Sequence, residues 1–327
     1  GRVRHRPGGH PMSENLTLLA IVLGILHSGI RLATPYLYAA IGETFAQRSG
    51  VLNLGVEGIM LMGAFFGFYA TFQTGNPWIG LVAAALTGSL MGLLMAVVSI
   101  TFQAEQGISG IGLYMFGLGI SSLLFKTMLG TVEGVQGFRE LQFCLTSSFC
   151  LADIPVLGDV FFSHSLLTYG AYALVPIATY VLNKTTWGLK VRSVGQNPEA
   201  ADSLGVSVSS IRYASVILGA SLAGIAGASL SISLLNIFQE NMTNGIGFIA
   251  VALVYFGSWT PLGVMLGALL FSSINALQLW VQVLNLPIPS DVAVMLPYLL
   301  TIIALAIPFR RSLQPAALTK PFSRGEN

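Results

Sequence analysis

The chain has 327 residues, of which 54% are hydrophobic and only 9% are charged, and its mean hydropathy is +0.76. A soluble domain carries about 25% charged residues, so this chain cannot face water all round, and its length is better divided into segments of about 20 residues that cross a bilayer. The net charge of +2 gives no reason to expect nucleic acid, and two cysteines are too few for a disulfide framework or a cysteine zinc site. Continuous rather than alternating apolar runs disfavour a β-barrel, which leaves an all-α, polytopic transmembrane helical bundle.

In chain order, residues 1–11 hold Arg2, Arg4, His5, Arg6 and His10. They are expected to be an expression scar or an upstream extension of a membrane domain over 12–311, which a tail over 312–327 follows. Breaking the uncharged runs at Gly, Pro and polar clusters gives about nine spans, with a range of about eight to ten. They cover 17–44, 51–73, 78–102, 108–129, 165–183, 211–236, 245–259, 262–284 and 292–309. The first is long and carries His27 and Arg31, so its outer half reads as interfacial. The seventh is at the lower limit for crossing and reads either as a span or as a half-helix inside the bundle.

Basic residues in short loops mark the cytoplasmic side. Arg48, the group Lys184, Lys190, Arg192 and Arg212, and the group Arg310, Arg311, Lys320 and Arg324 all fall on one side by this count. The N-terminus is then outside and the C-terminus cytoplasmic. The long outer loop, 130–164, holds Cys144 and Cys150, which either pair in an oxidising exterior or remain thiols.

The loop 184–212 is the long polar segment of the cytoplasmic side. Within it Asn197 is a helix cap, Pro198 fits the first helical position, Glu199 favours the positive helix end, and Gly205 is a left-handed stop after Leu204. A helix of about two turns is expected there, either a plain surface helix or a docking element.

Polar residues at membrane depth are costly and draw attention. Glu43 and Glu57 bracket Arg48, and interfacial pairing of Glu43 with Arg48 is the favoured reading. Asn53 and Glu57 are placed one turn apart on the second span, facing the interior, where they line a path or hold a break in the helix. Asn275 and Gln278 share a face of the eighth span and should point inward, towards another helix or a solute. Phe65, Phe66, Tyr114 and Phe256 are packing residues or stacking faces. Gln239, Glu240 and Asn241 are expected on the outer face. Small-residue pairs such as Gly63/Gly67, Gly88/Gly92, Ala220/Gly224 and Ala223/Gly227 mark close helix packing.

Three stretches resemble a known family. Glu199-Ala200-Ala201 followed by Gly205 resembles the E-A-A-x-x-x-G pattern of ABC-importer permeases. Ala33-Thr34-Pro35-Tyr36-Leu37, Gly42-Glu43-Thr44-Phe45 and the run from Arg48 through Asn53 to Glu57-Gly58 resemble the permeases of nucleoside, simple-sugar and branched-chain amino-acid importers. Gly247-Phe248-Ile249-Ala250 and Pro261-Leu262-Gly263 resemble the second half of the nucleoside-type branch. The resemblance runs from residue 33 to about 280; the outer loop and the tail match nothing in it.

The resemblance implies a transport subunit rather than an enzyme, in a bacterial cytoplasmic (inner) membrane. Asn197, Pro198, Glu199, Ala200, Ala201, Leu204 and Gly205 would form the coupling helix. Asn53, Glu57, Phe65, Tyr114, Asn275 and Gln278 are the candidate path residues. The chain has no G-x-x-x-x-G-K-[ST] phosphate loop, so ATP and Mg would sit on a partner ABC ATPase, with no metal or cofactor on this chain. Further implied partners are a second permease subunit, expected to be a different chain, an extracytoplasmic solute-binding protein or lipoprotein, and lipid. A nucleoside is the first substrate choice, then riboflavin or a simple sugar. An ATP-independent channel or secondary transporter is the competing class. A membrane enzyme is disfavoured because His27 and His164, the only histidines after residue 10, make no catalytic constellation.

Overall fold

The computed structural model describes residues 11–130, 134–138, 140–142, 144–146, 149–150, 157–283, 295, 299, 302 and 314–323. The first apolar run forms one helix, α1 (Pro11–Arg48), of 38 residues, about 57 Å long at 1.5 Å per residue. It ends at Gly50, whose φ of +94° suits glycine, where Val51 N donates to Ala46 O and Gly50 N to Gln47 O in a 6→1, 5→2 closing pair.

The second span starts later than its hydropathy indicates. Residues 51–55 are not helical, and α2 runs Val56–Thr74. Side chains take the amides a helix would have used: Leu52 N donates to Gln106 Oε1, Asn53 N to Glu43 Oε1, and Gly55 N to Asn53 Oδ1. Asn53 is therefore in a linker, not on the helix with Glu57, though both are buried.

The next helices keep close to their expected bounds. Asn76 accepts from Trp78 N and Pro77 takes the first position of α3 (Pro77–Ala96), which a π-turn extends to Thr101. Glu105 caps α4 (Gln106–Leu124), also extended by a π-turn, to Leu129. The amides of Ile108 and Gly107 hold the Glu105 carboxyl below the usual carboxylate range. The outer loop contains short strands that hydropathy could not signal. β1 (Glu140–Gln142) pairs antiparallel with β4 (Ser163–Ser165), and β2 (Cys144–Thr146) pairs with β3 (Phe149–Cys150), which sets Cys144 opposite Cys150 in backbone register. A short α5 (Leu157–Phe161) precedes α6 (Leu166–Lys184). Then come α7 (Thr186–Gln196), α8 (Pro198–Ser203) and α9 (Val208–Ser229), the last carried to Leu234 by a π-turn. Finally α10 (Ile246–Phe256) and α11 (Pro261–Val283) follow. The ninth expected span, 292–309, lies outside the described residues.

Among the described residues five helices are long and apolar enough to cross a membrane: Pro77–Thr101, Gln106–Leu129, Leu166–Lys184, Val208–Leu234 and Pro261–Val281. Of these, α9 is the centre, with 72% of its apolar window buried against 22% for α4. Small residues allow this. A side chain at Gly63 would strike Gly224, one at Gly88 would strike Ala220 O, and one at Gly42 would lie 2.5 Å from Gly219 O. The small-residue pairs thus bring α1, α2 and α3 onto α9 with backbones nearly touching, as lipid-embedded packing requires. Arg31 is not interfacial as a free charge; its Nη2 donates to Leu234 O at 2.9 Å, satisfying the end of α9.

Candidate functional site

Two places gather polar chemistry. The first is the α7–α8 end. Asn197 Oδ1 accepts from Ala200 N at 2.9 Å, Pro198 opens α8, and Glu199 lies in its first turn. Gly205 has φ +81° and donates to Asp202 O, while Val206 N donates to Ala201 O, closing the helix as expected. Ala201 is buried against Val194 and Val208, whereas Leu204 is 84% exposed. The helix α7 was not foreseen. Its cue was present, because the buried Gly188, Val191, Val194 and Gly195 recur at helical spacing and Thr185 Oγ1 accepts from Gly188 N.

The tail is not a free appendage. Residues 314–323 fold back across this end, where Ala317 N donates to Gly195 O and Thr319 N to Gly50 O. Arg212 Nε donates to Ser49 O at 3.2 Å and Arg212 Nη1 to Lys320 O at 3.1 Å. One guanidinium therefore ties the turn after α1 to the tail.

The second place is the head of α10. This helix has 11 residues, about 16 Å, or about half of a ~30 Å hydrocarbon core, so it is a half-helix rather than a full span. Its far end is tied to the end of α1: Arg48 Nε donates to Trp259 O at 2.9 Å and Trp259 Nε1 to Gln47 Oε1 at 2.7 Å. Arg48 thus does not pair with Glu43. The Glu43 carboxyl is taken by Gln47 Nε2 and Asn53 N, each at 3.0 Å, and the Arg48 guanidinium serves a helix-terminal carbonyl instead. The near end of α10 is held by Glu57. Its Oε1 accepts from Thr243 Oγ1 at 2.6 Å and Gly245 N at 2.7 Å, and its Oε2 accepts from Gly247 N at 2.6 Å.

Between α9 and α10 the backbone is irregular, with Asn236, Asn241, Asn244 and Gly245 at positive φ. Gln239, Glu240, Asn241 and Asn244 are exposed along it, and Glu240 meets Lys126 Nζ at 3.4 Å. Phe248 is exposed, as is Asn244 four residues earlier, and the Phe248 ring meets that of half-buried Tyr114 edge-on at 5.1 Å.

The expected path residues are therefore not one cluster. Asn53 and Glu57 shape backbone. Phe65 is fully buried among Phe66, Tyr69 and Phe238. Tyr114 is half-buried against Phe248. Asn275 and Gln278 are half-buried on α11, which packs on α1, α10 and α6, away from the α2–α4 contact that carries Tyr114. A cavity of about 460 Å³, lined by Leu26, Ile30, His164, Thr168, Tyr172 and Ser273 among others, includes none of them. Among the described residues no group of His, Cys, Asp and Glu converges as a metal site.

Long apolar helices around a small-residue seam, one apolar helix too short to span and a capped helix platform at one end make this a polytopic helical membrane protein. The chain belongs to the family described as "Branched-chain amino acid transport system / permease component", whose model matches residues 25–305. It is 35% identical to the guanosine ABC transporter permease protein NupQ of Bacillus subtilis, over 95% of this chain and 100% of that one. It is also 35% identical to the nucleoside ABC transporter permease protein NupC of Lactococcus lactis, over 87% and 92% of the two chains. TsgC13 of Haloferax volcanii, named provisionally as a glucose ABC transporter permease, is 38% identical over 82% of this chain and 80% of its own length. This chain is a permease subunit of an ABC importer.

Proposed function

We propose that this chain moves a nucleoside into the cytoplasm by alternating access, driven by ATP hydrolysis on a separate ATPase that docks on α8. The observation that carries the coupling reading is α8 itself, a short capped helix beyond the membrane helices that presents Leu204 at 84% exposure. An apolar side chain so exposed outside the bilayer fits a partner's groove. Asn197, Pro198 and Gly205 fix the two ends of α8, Ala200 and Ala201 its body, and Glu199 and Leu204 its docking face. The nucleoside reading is supported by NupQ and NupC, whose names specify guanosine and nucleosides and which align over 95% and 87% of this chain.

In this reading the α7–α8 end with Lys184, Lys190 and Arg192 is cytoplasmic, the N-terminus is outside, and 292–309 is the last of about nine spans in a bacterial cytoplasmic membrane. A second permease subunit covers the surface bearing Tyr114, Asn244 and Phe248, and the solute passes between the two. A solute-binding protein delivers it to the outer segment around Gln239 and Asn241.

The test is uptake of radiolabelled guanosine, uridine, riboflavin, ribose and glucose into proteoliposomes holding this chain with its genomic-neighbour subunits, with and without ATP. ATP-dependent uptake of guanosine or uridine is expected. Uptake of riboflavin or a sugar alone would replace the substrate, and ATP-independent flux would replace the coupling mechanism. In the same assay Glu199→Arg and Gly205→Pro are expected to abolish transport while leaving membrane insertion intact; normal uptake by both would remove α8 from the coupling role.

A further inference from the structure

A helix of six residues, such as α8, has fewer than two turns and is too short to hold an orientation by its own backbone bonds. Its one buried residue is Ala201, which buries no more than a methyl group, so what packs on Ala201 decides how firmly α8 is held. Ala201 shares a small cluster with Val194 of α7 and Val208 of α9, and the largest side chain packed against that cluster is Phe322, from the tail.

Phe322 is fixed in turn by the run of tail that leads to it. Ala317 N donates to Gly195 O at 2.9 Å and Thr319 N to Gly50 O at 3.1 Å. Arg212 Nη1 donates to Lys320 O at 3.1 Å, and Gln103 Nε2 to Phe322 O at 3.2 Å. Residues 314–323 thereby join the end of α7, the turn after α1, the start of α9 and the α3–α4 connection. The fit is close: a Cβ at Gly50 would lie 3.0 Å from Ala317 O, and one at Gly195 would lie 3.3 Å from Pro315 Cβ. At Thr319 the backbone φ is +65°, a conformation that a β-branched residue keeps only when its surroundings impose it. A tail lying loosely on the surface would relax there; this one is held.

We propose that residues 314–323 are the brace of the coupling helix, with Phe322 as its positioning residue. They hold α8 to the ends of α1, α7 and α9, so that a push on α8 moves those helices instead of swivelling α8 alone. The inference rests on the ATPase-docking reading of α8 above and adds the part that carries its motion onward. Docking itself stays with the exposed side of α8, where Leu204 is 84% exposed. Without Phe322, α8 keeps its caps at Asn197 and Gly205 and still binds the ATPase, but its movement is lost before it reaches the membrane helices.

The test uses the complex reconstituted with its ATPase and second permease, and reads solute taken up per ATP hydrolysed. The solute is guanosine or, where the complex takes up another of the compounds named above instead, that compound. Two variants are compared: a chain ending at Leu313, and Phe322→Ala, in which the hydrogen bonds of the tail remain because they use its backbone. Both are expected to keep the ATPase through purification and to hydrolyse ATP, while uptake per ATP falls about tenfold, within the range for residues that carry coupling between sites. Phe322→Leu, which refills the cluster, should restore most of the ratio. If the shortened chain does not fold, Phe322→Ala decides, and an unchanged ratio there overturns the brace. So does loss of the ATPase in step with uptake, which would put the tail in the docking surface. A collapse of melting in Phe322→Ala overturns it as well, by making the residue merely structural. Gly205→Pro, measured alongside, breaks α8 itself. Normal transport there removes the α8 reading and the brace with it, whereas blocked transport there beside an unchanged ratio in Phe322→Ala removes the brace alone.

Discussion

Around α9, backbones touch: Gly227 faces Met60 O, Gly63 faces Gly224, Gly88 faces Ala220, and Ser231 Oγ donates across to Ala64 O at 2.8 Å. At the α7–α8 end, contacts run through side chains and a returning tail, and much of α8 is open, with Ser203, Leu204 and Gly205 all exposed. The first region has no spare volume, so a change there has nowhere to go. The second has spare surface, and its order comes from caps and from Arg212. The contrast separates what holds the permease together from what it offers to a partner, and substitutions graded by region can break that separation or sharpen it.

The largest loss of fold is expected at Gly227→Val. Its Cβ would meet the Met60 carbonyl and the Ala64 amide, which are helix backbone and cannot rotate away. Relief requires α2 and α9 to separate, which removes the packing that membrane helices depend on. Purification should yield little monodisperse protein; a normal yield with a normal melting curve would show that the seam is looser than its geometry indicates.

An intermediate loss is expected at Arg212→Met, which keeps the length of the side chain and removes its donors. Ser49 O and Lys320 O both lose a partner, and losing hydrogen bonds to a charged, mostly buried group costs about 1–3 kcal/mol. Proteolysis should cut the tail after 313 sooner in the variant, with the apolar bundle intact. If the bundle itself melts with the tail, the two regions are one cooperative unit and the contrast fails.

Much of this architecture is legible from local chemistry. Asn197, Pro198 and Gly205 announce α8 because capping depends on residues within one turn, and the small-residue pairs announce the α9 seam because backbone approach needs only the absence of side chains. What stayed hidden depends on distant partners. Nothing near Asn53 says that Glu43, ten residues earlier, and Gln106 take the amides of the 51–55 linker and delay α2. The half-helix nature of α10 is visible in its length, but the role of Glu57 is not, since its donors are 186 to 190 positions away. Asn244 and Phe248 are exposed at and just after the break between α9 and α10, where three asparagines take left-handed conformations. Hydropathy averages over such a break, and the polar character of residues 239–244 reads as an outer loop when taken alone.

The smallest effect on stability, and the sharpest test of the contrast, is expected at Leu204→Ser. At 84% exposure its side chain gives up almost no buried area, so by area the fold loses well under about 1 kcal/mol, and the cap at Gly205, made by backbone groups, is untouched. The melting temperature should match that of the unmodified protein. Transport should nevertheless fall, because an apolar side chain kept in water by its own fold gains its burial only against a partner, and truncating such a contact at an interface costs about 1–3 kcal/mol of association. Two readouts are therefore predicted to part company: co-purification of the ATPase with this chain should weaken while melting stays fixed. Unchanged co-purification would mean that Leu204 faces no partner and that docking lies elsewhere on the α7–α8 end, with Leu189, 59% exposed on α7, the next residue to substitute.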